Sequence, residues 1–391
     1  MFSEPITEIS FEKVQNFCKE NLPEGIRLDY KEDFPRDLAK TISAFANTYG
    51  GLILIGVEET DRGTPMLPIK GIPLERGLEE RITGTALRGI YPPVFPETKV
   101  CQFASEGSES PDRAVVVIRV QESHDAPHAI ENKTKVYIRV DRQNEPYELA
   151  DVDQILVLKS RRERAIENRQ RMIANAWQRC QNVLGFDSRG KTTRAMIISP
   201  LFPLEPLVSL DELYMIAQQK RIGHEISTGR QTPMQAGVMF KRSRPTVDDF
   251  NYMEFTQQGL VFYLENCSEG QREGYKNSLH IGRTIIVIGR LLEYALSCYE
   301  AMGFWGNVRI ELVLTNVLGS RLSEDPLVWL DDGYVCPDPE IRIEATKSAS
   351  ELTENHFALV EDFTKKFTWA FGCQLNPDVV KASVERALSR T

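Results

Sequence analysis

The sequence predicts an α+β protein: a mixed α/β N-terminal domain, a basic linker helix and a second α+β domain. Three observations predict it. A chain of 391 residues is too long for one ordinary core. Short apolar runs of strand character alternate along its length with segments of helical period. The composition also changes sharply near the middle. From Lys159 to Arg179 the chain carries Lys159, Arg161, Arg162, Arg164, Arg169, Arg171 and Arg179 against only Glu163 and Glu167. The expected boundaries are therefore 1–150, 151–185 and 186–391.

Apolar residues make up 41% of the chain and charged residues 26%, so both halves can bury a core. No apolar run approaches the roughly 18 residues of a membrane span. The start, Met1-Phe2-Ser3-Glu4-Pro5, lacks the basic and apolar regions of a signal peptide, and a cytoplasmic protein is expected. Cys18, Cys101, Cys180, Cys267, Cys298, Cys336 and Cys373 are scattered, with neither disulfide nor zinc-ligand spacing, which predicts reduced thiols. A net charge of −9 excludes indiscriminate coating of nucleic acid, so any such contact needs a local basic patch.

In order, Ile9, Phe11, Val14, Phe17 and Cys18 recur at helical spacing, predicting a helix from Glu8 to Asn21 that Pro23 ends. The alternation Ile26-Arg27-Leu28-Asp29-Tyr30-Lys31 predicts a half-buried strand. A helix from Pro35 to Thr48 follows, with Leu38, Ile42, Phe45 and Ala46 on one face. Asn47 and Thr48 with Gly50-Gly51 supply residues that accept left-handed angles where this helix turns into the continuous apolar strand Leu52 to Val57. A loop to Pro73, a helix to Ile90, a Pro-rich turn and strands at Lys99–Phe103, Ala114–Val120 and Lys135–Val140 complete the first half. Beyond Gly190 come a strand (Arg194–Ser199), a helix (Leu210–Lys220), strand segments (Gly237–Arg242, Tyr252–Glu265), a long helix (His280–Met302) and a strand (Asn307–Asn316). Helices near Leu352–Phe371 and Pro377–Leu388 close the chain.

Several of these segments fall in a known order. Glu24 to Lys31 resembles the first strand of the Schlafen family. Ile42-Ser43-Ala44-Phe45-Ala46-Asn47-Thr48-Tyr49-Gly50-Gly51-Leu52-Ile53-Leu54-Ile55-Gly56-Val57 resembles its core motif almost position for position. Gly71-Ile72 fits the step after it, and Ser123 to His128 with Tyr137-Ile138-Arg139-Val140 resembles its closing signature. The resemblance implies an AlbA-like nucleic-acid-binding domain, RNA being favoured over DNA. For the family's nucleases it implies three carboxylates around a divalent metal, which here would be Glu24, Asp29 and Glu59 around Mg²⁺ or Mn²⁺. Asp29 stands where those nucleases have Glu and Glu59 where they have Asp, and metal geometry is sensitive to such exchanges. Lys31, on the same strand face as Asp29, is the candidate to neutralise a phosphate oxygen. The family's two-lobed arrangement, with one convincing copy in this chain, implies a homo-oligomer or a second domain serving as the other wall.

Two further features carry expectations. Lys159, Arg161, Arg162, Arg164, Arg169 and Arg171 make an electrostatic footprint for a phosphate backbone. Gly185 to Thr192 fits GxxxxGK[ST], so that Gly190, Lys191 and Thr192 would cradle a nucleotide's phosphates. A phosphate loop needs a strand before it and a helix after it, whereas here a charged helix precedes and a strand follows. Two functions are thus in view. One is a metal-dependent endoribonuclease acting on structured RNA such as tRNA, with Glu24, Asp29, Glu59 and Lys31 as its catalytic set. The other is a non-catalytic DNA- or RNA-binding regulator whose second domain senses a ligand or partner. An ATP-binding protein is the weaker third.

Overall fold

The computed structural model describes residues 2, 5–105, 111–123, 125–130, 135–147, 152–184, 191–201, 206–223, 226, 229–243, 250–267, 278–325, 328–329 and 334–389. The chain divides into two compact units, Met1–Arg164 and Ala165–Thr391. The division falls inside the basic helix rather than on either side of it.

The first unit runs α1 (Phe11–Lys19), β1 (Leu28–Lys31), α2 (Leu38–Asn47), β2 (Gly51–Ile55), β3 (Ile72–Pro73), α3 (Leu78–Gly89), β4 (Glu97–Phe103), β5 (Arg113–Val120), β6 (Ala129–Ile130), β7 (Lys135–Val140), β8 (Gln143–Tyr147) and α4 (Val152–Lys159). Its main sheet has the order β1-β2-β5-β3, with β4 also on β5. β1 and β2 are parallel, pairing Leu28 with Leu52 and Lys31 with Ile55, and β2 runs antiparallel to β5. The continuous apolar run of β2 follows from cover on both faces. Ile53 and Ile55 pack with Leu38, Ile42, Phe45 and Ile82 of α2 and α3. Leu52 and Leu54 pack instead with Val14 and Phe17 of α1 and with Leu28 and Tyr30.

The turn between α2 and β2 uses fewer left-handed residues than the sequence suggested. Gly50 has φ +67°, and a Cβ there would lie 2.6 Å from the Val120 carbonyl oxygen. Asn47 and Thr48 keep negative φ. Their side chains are spent on tertiary hydrogen bonds: Asn47 Nδ2 donates to the His128 and Tyr137 carbonyls, and Thr48 Oγ1 accepts from Arg139 N.

The second unit takes up most of α5 (Arg161–Leu184) and continues with β9 (Thr193–Pro200), α6 (Leu210–Gln219), β10 (Arg230–Met234), β11 (Gly237–Ser243), β12 (Phe250–Thr256), β13 (Val261–Asn266), β14 (Ser278–His280) and α7 (Ile281–Ala301). It ends with β15 (Asn307–Thr315), β16 (Arg321–Asp325), β17 (Val328–Trp329), β18 (Glu340–Ser348), α8 (Ala349–Trp369) and α9 (Pro377–Leu388). An antiparallel sheet of order β10-β11-β12-β13-β9-β15-β18 forms its middle. α7 buries Ile285, Ile288, Leu292 and Ala295 against one face of the sheet. On the other face Ala176, Trp177 and Cys180 of α5 pack on Tyr252, Phe262 and Leu264. The Trp177 and Phe262 rings meet edge to face at 5.1 Å.

All seven cysteines are buried and unpaired, as expected. Among the described residues no helix is long and apolar enough to cross a membrane. Tyr252–Glu265, read as one strand segment, is a hairpin that turns between Thr256 and Val261. β18 escaped the sequence reading although Ile341 and Ile343 alternate there in the manner of a half-buried strand.

Candidate nucleic-acid interface

The candidate site is assembled from β1 outward. Glu24 precedes the strand, its N–H donating to the Gly63 carbonyl at 2.7 Å. Its Oε1 accepts the Tyr30 N–H at 2.5 Å, so the carboxylate bridges a six-residue turn and is only 8% exposed. Asp29 is buried on the strand between two cations. Arg139 Nη2 donates to Oδ1 at 2.7 Å, and Lys31 Nζ lies 2.7 Å from Oδ2. That second contact is an ion pair rather than a directed hydrogen bond. Lys31 Nζ also stands 3.7 Å from Glu24 Oε1 and donates to its neighbour's carbonyl, Tyr30 O, at 2.9 Å.

Arg139 lies inside the closing signature, yet its role was not apparent from sequence. It is buried, and besides Asp29 it donates to the Leu28 and Gly25 carbonyls at 3.4 and 3.3 Å and to Asn144 Oδ1 at 3.2 Å. Its guanidinium stands 5.1 Å from the Phe45 ring centroid. Phe45 and Thr48 of the core motif therefore position the arginine that neutralises Asp29 of the first strand. A buried arginine with four oxygen partners is what a planar guanidinium can satisfy and an ammonium cannot.

Burial pushes the Glu24 carboxyl up to about 7. The Tyr30 N–H holds it down in part, Asp29 pushes it up, Lys31 lowers it and Glu59 raises it further. Glu24 thus feels both Asp29 and Glu59, although Glu59 is exposed on the loop after β2. Its neighbour Glu58 is turned to an ion pair with Lys70.

This donor set does not fit the expected Mg²⁺ or Mn²⁺. Both Asp29 oxygens already face cations, and the Glu24 oxygen nearest Lys31 accepts a backbone amide. Lys31 and Arg139 already bring two positive charges to Asp29 and to a Glu24 whose carboxyl is pushed up to about 7, so charge balance needs no further cation. Among the described residues no three Asp, Glu, His or Cys side chains come together to hold a metal.

The rim of the cluster carries three exposed arginines, in segments that also expose Glu59, Asp61 and Asp141. Arg27 is exposed, with its guanidinium 5.5 Å from the ring of Tyr49, itself 42% exposed. Arg142 is also exposed, and a Cβ on Gly63 would lie 2.5 Å from its Nη1, so it lies over the residue whose carbonyl holds Glu24. Arg62 is exposed beside it in the chain. Among the described residues none of Arg27, Arg62 and Arg142 is ion-paired.

The basic helix is less available than its composition suggested. Arg161 donates to the carbonyls of Asn47 at 3.1 Å and Thr48 at 3.3 Å and pairs with Glu122 at 3.3 Å, capping the C-terminus of α2. Arg169 bonds Ser199 Oγ at 3.1 Å and pairs with the buried Glu311. Arg179 is likewise committed to the buried Glu254. Arg161 and Arg169 are therefore structural: Arg161 answers carbonyls at the end of α2, and Arg169 joins Arg309 and Arg342 around the buried Glu311. Lys159, Arg164 and Arg171 remain exposed, and the Arg162 side chain lies outside the described residues.

Gly190 also lies outside the described residues. Lys191 and Thr192 lead directly into β9, so no helix N-terminus follows them. The Thr192 hydroxyl donates to the Asn316 carbonyl at 2.9 Å, and the Lys191 carbonyl accepts from Asn316 Nδ2 at 2.8 Å. A strand in place of a helix removes the aligned amides and dipole that phosphate binding draws on.

Comparison with known proteins finds similarity for one part of the chain. No curated protein matches it. Among solved structures, the N-terminal domain of a putative ATP-dependent DNA helicase RecG-related protein from Nitrosomonas europaea is similar at 17% identity. That match covers 36% of this chain and 93% of the other, with a TM-score of 0.27. The model of the family described as "Schlafen, AlbA_2" matches residues 24–148, from the bridging Glu24 to just beyond β8. The match lies wholly within the N-terminal unit, which is thus similar to the Schlafen AlbA_2 family.

Proposed function

We propose that the N-terminal unit is a non-catalytic nucleic-acid-binding module, and that it grips phosphates through Arg27, Arg62 and Arg142. One observation carries this reading. The buried carboxylates Glu24 and Asp29 are already neutralised from within by Lys31 and Arg139, which leaves the outer cations for a polyanion. Likeness to the Schlafen AlbA_2 family supports the choice of nucleic acid as that polyanion, and RNA is the form favoured.

The test is binding of tRNA and of duplex DNA to the full chain, followed by fluorescence anisotropy at graded salt. Replacing Arg27, Arg62 and Arg142 together by glutamate should lower affinity at every sequence. Each lost phosphate contact should also reduce the slope of log affinity against log salt by about 1. Unchanged affinity removes the reading. Incubating the same tRNA with Mn²⁺ decides between binding and cleavage. Intact RNA is expected; cleavage that Asp29→Asn abolishes would restore the endoribonuclease.

A further inference from the structure

The seven-stranded sheet of the second unit ends on one side at β10 and on the other at β18. The two edges differ. β10 has five residues, among them Pro233, which has no amide to offer a further strand. β18 has nine, with neither proline nor glycine, and it pairs with β15 over its whole length without a bulge. A long regular edge of this kind is a template for another strand.

The outer side of β18 is open. Hydrogen bonds just beyond its two ends fix which residues face β15. Val317 N donates to the Pro339 carbonyl at 3.2 Å, and Ala349 N donates to the Gly306 carbonyl at 3.0 Å. By alternation Ile341, Ile343, Ala345 and Lys347 turn their amides and carbonyls to β15, while Glu340, Arg342, Glu344 and Thr346 turn theirs outward. All four outward residues are exposed, and among the described residues no strand pairs with β18 on that side.

The charges along the edge indicate what it receives. Glu340, Arg342 and Glu344 alternate in sign and are 47%, 50% and 48% exposed, and the neutral Thr346 follows. Arg342 pairs with Glu340 and Glu311, both at 3.1 Å, and Glu344 pairs with Arg309. Glu311 is also met by Arg169 and Arg309, so this face holds three arginines against three glutamates. A neutral strand of alternating sign suits an antiparallel copy of itself. With a two-fold axis through Ile343, Arg342 stands opposite Glu344 of the second copy, and Glu344 opposite its Arg342. Glu340 then meets Thr346, and Ile341 meets Ala345. An axis moved to Arg342 sets that arginine against itself and Glu340 against Glu344. An axis moved to Glu344 sets that glutamate against itself. Like charges directly opposite destabilise a strand pair, so the charges select the axis at Ile343.

We infer that β18 is the docking edge for a second copy of this chain, whose own β18 pairs with it antiparallel about Ile343 and continues the sheet across the two-fold axis. Each copy presents the same edge to the other, so the contact closes as a dimer and leaves β18 with no free side. The inference is independent of what the N-terminal unit binds.

The experiment is sedimentation equilibrium of the full chain over a range of concentrations, where a reversible dimer is expected. Arg342→Glu alone and Glu344→Arg alone each turn two cross-strand pairs from opposite to like charge and should weaken the dimer about tenfold. Mixed in equal amounts, the two variants should recover wild-type affinity, because each strand then carries the charges that the other lacks. Glu344→Pro removes an outward amide that the sheet does not use, and should give a monomer with an unchanged melting temperature. If that variant unfolds, the charge-reversed pair still decides. In the wild type, hydrogen exchange at Arg342, Glu344 and Thr346 should slow as concentration rises, while Ile341 and Ile343 stay protected throughout. A monomer at every concentration overturns the inference. So does a dimer that Glu344→Pro leaves intact, or one whose charge-reversed variants fail to recover on mixing, since the contact then lies elsewhere.

Discussion

Replacing Arg139 by methionine removes the cation that meets Asp29 deepest in the first unit. The side chain makes one ion pair with a carboxylate that is 1% exposed and donates to three further oxygens on Gly25, Leu28 and Asn144. Removing one partner of a buried, hydrogen-bonded ion pair costs about 3–5 kcal/mol, because the other charge stays buried. Lys31 remains beside Asp29 Oδ2, 30% exposed, and moderates the loss, so about 3 kcal/mol is expected. For a unit of this size that corresponds to a fall of roughly 6–12 °C in its melting temperature. The assay is thermal unfolding of the full chain with hydrogen exchange on β1 and β2 as local readout, since two units need not melt as one. Adding Asp29→Asn to Arg139→Met should recover part of the loss, because the double variant leaves no bare charge. A coupling of about 1–3 kcal/mol is expected for residues in direct contact. A single variant that loses under 1 kcal/mol, or a pair whose effects simply add, would refute the account of Asp29 as a carboxylate neutralised from inside.

Two further outcomes follow from the same geometry. The folded Glu24 carboxyl sits near 7, above its ordinary value of 4.5, so between these values the folded state holds a proton that the unfolded chain releases. Stability of the first unit should therefore fall as pH rises from about 5 to 8, and Glu24→Gln should remove most of that fall. Melting temperatures of the two proteins that stay parallel across this range would contradict it. Arg161→Ala should destabilise the first unit by about 1 kcal/mol through loss of the α2 cap, with no change in the salt slope of RNA binding. A slope reduced as much as by the loss of an exposed cation would return Arg161 to the interface.

Much of this molecule was legible in the sequence where the pattern was local. The period of α2, the double glycine and the continuous apolar β2 follow one another over sixteen residues from Ile42 to Val57, and each signal acts at short range. The acidic residues were legible as positions but not as partners. Asp29 and Arg139 are 110 positions apart, and nothing in local spacing announces that a carboxylate will meet an arginine from β7 rather than a metal ion. The same limit explains the basic helix. Its seven cations read as one charged surface, whereas Arg161, Arg169 and Arg179 each answer oxygens far away in the chain. The open edge at β18 was hidden differently. Ile341 and Ile343 alternate as a strand does, but only the order of strands in the sheet shows that this one is the last.

The reach of Arg139 back to β1 also sets a timetable for the chain as it is made. When β1 and β2 have emerged from the ribosome, Asp29 has Lys31 beside it, but the strand carrying its second cation has yet to be synthesised. Until residue 139 arrives, the parallel pair would bury a carboxylate at a cost, and its neighbour β5 has to be added first as well. On this arrangement the early part of the unit should close fully only once β7 is available. A nascent chain stalled before β7 should offer β1 to chaperones and proteases, and one extended past it should not.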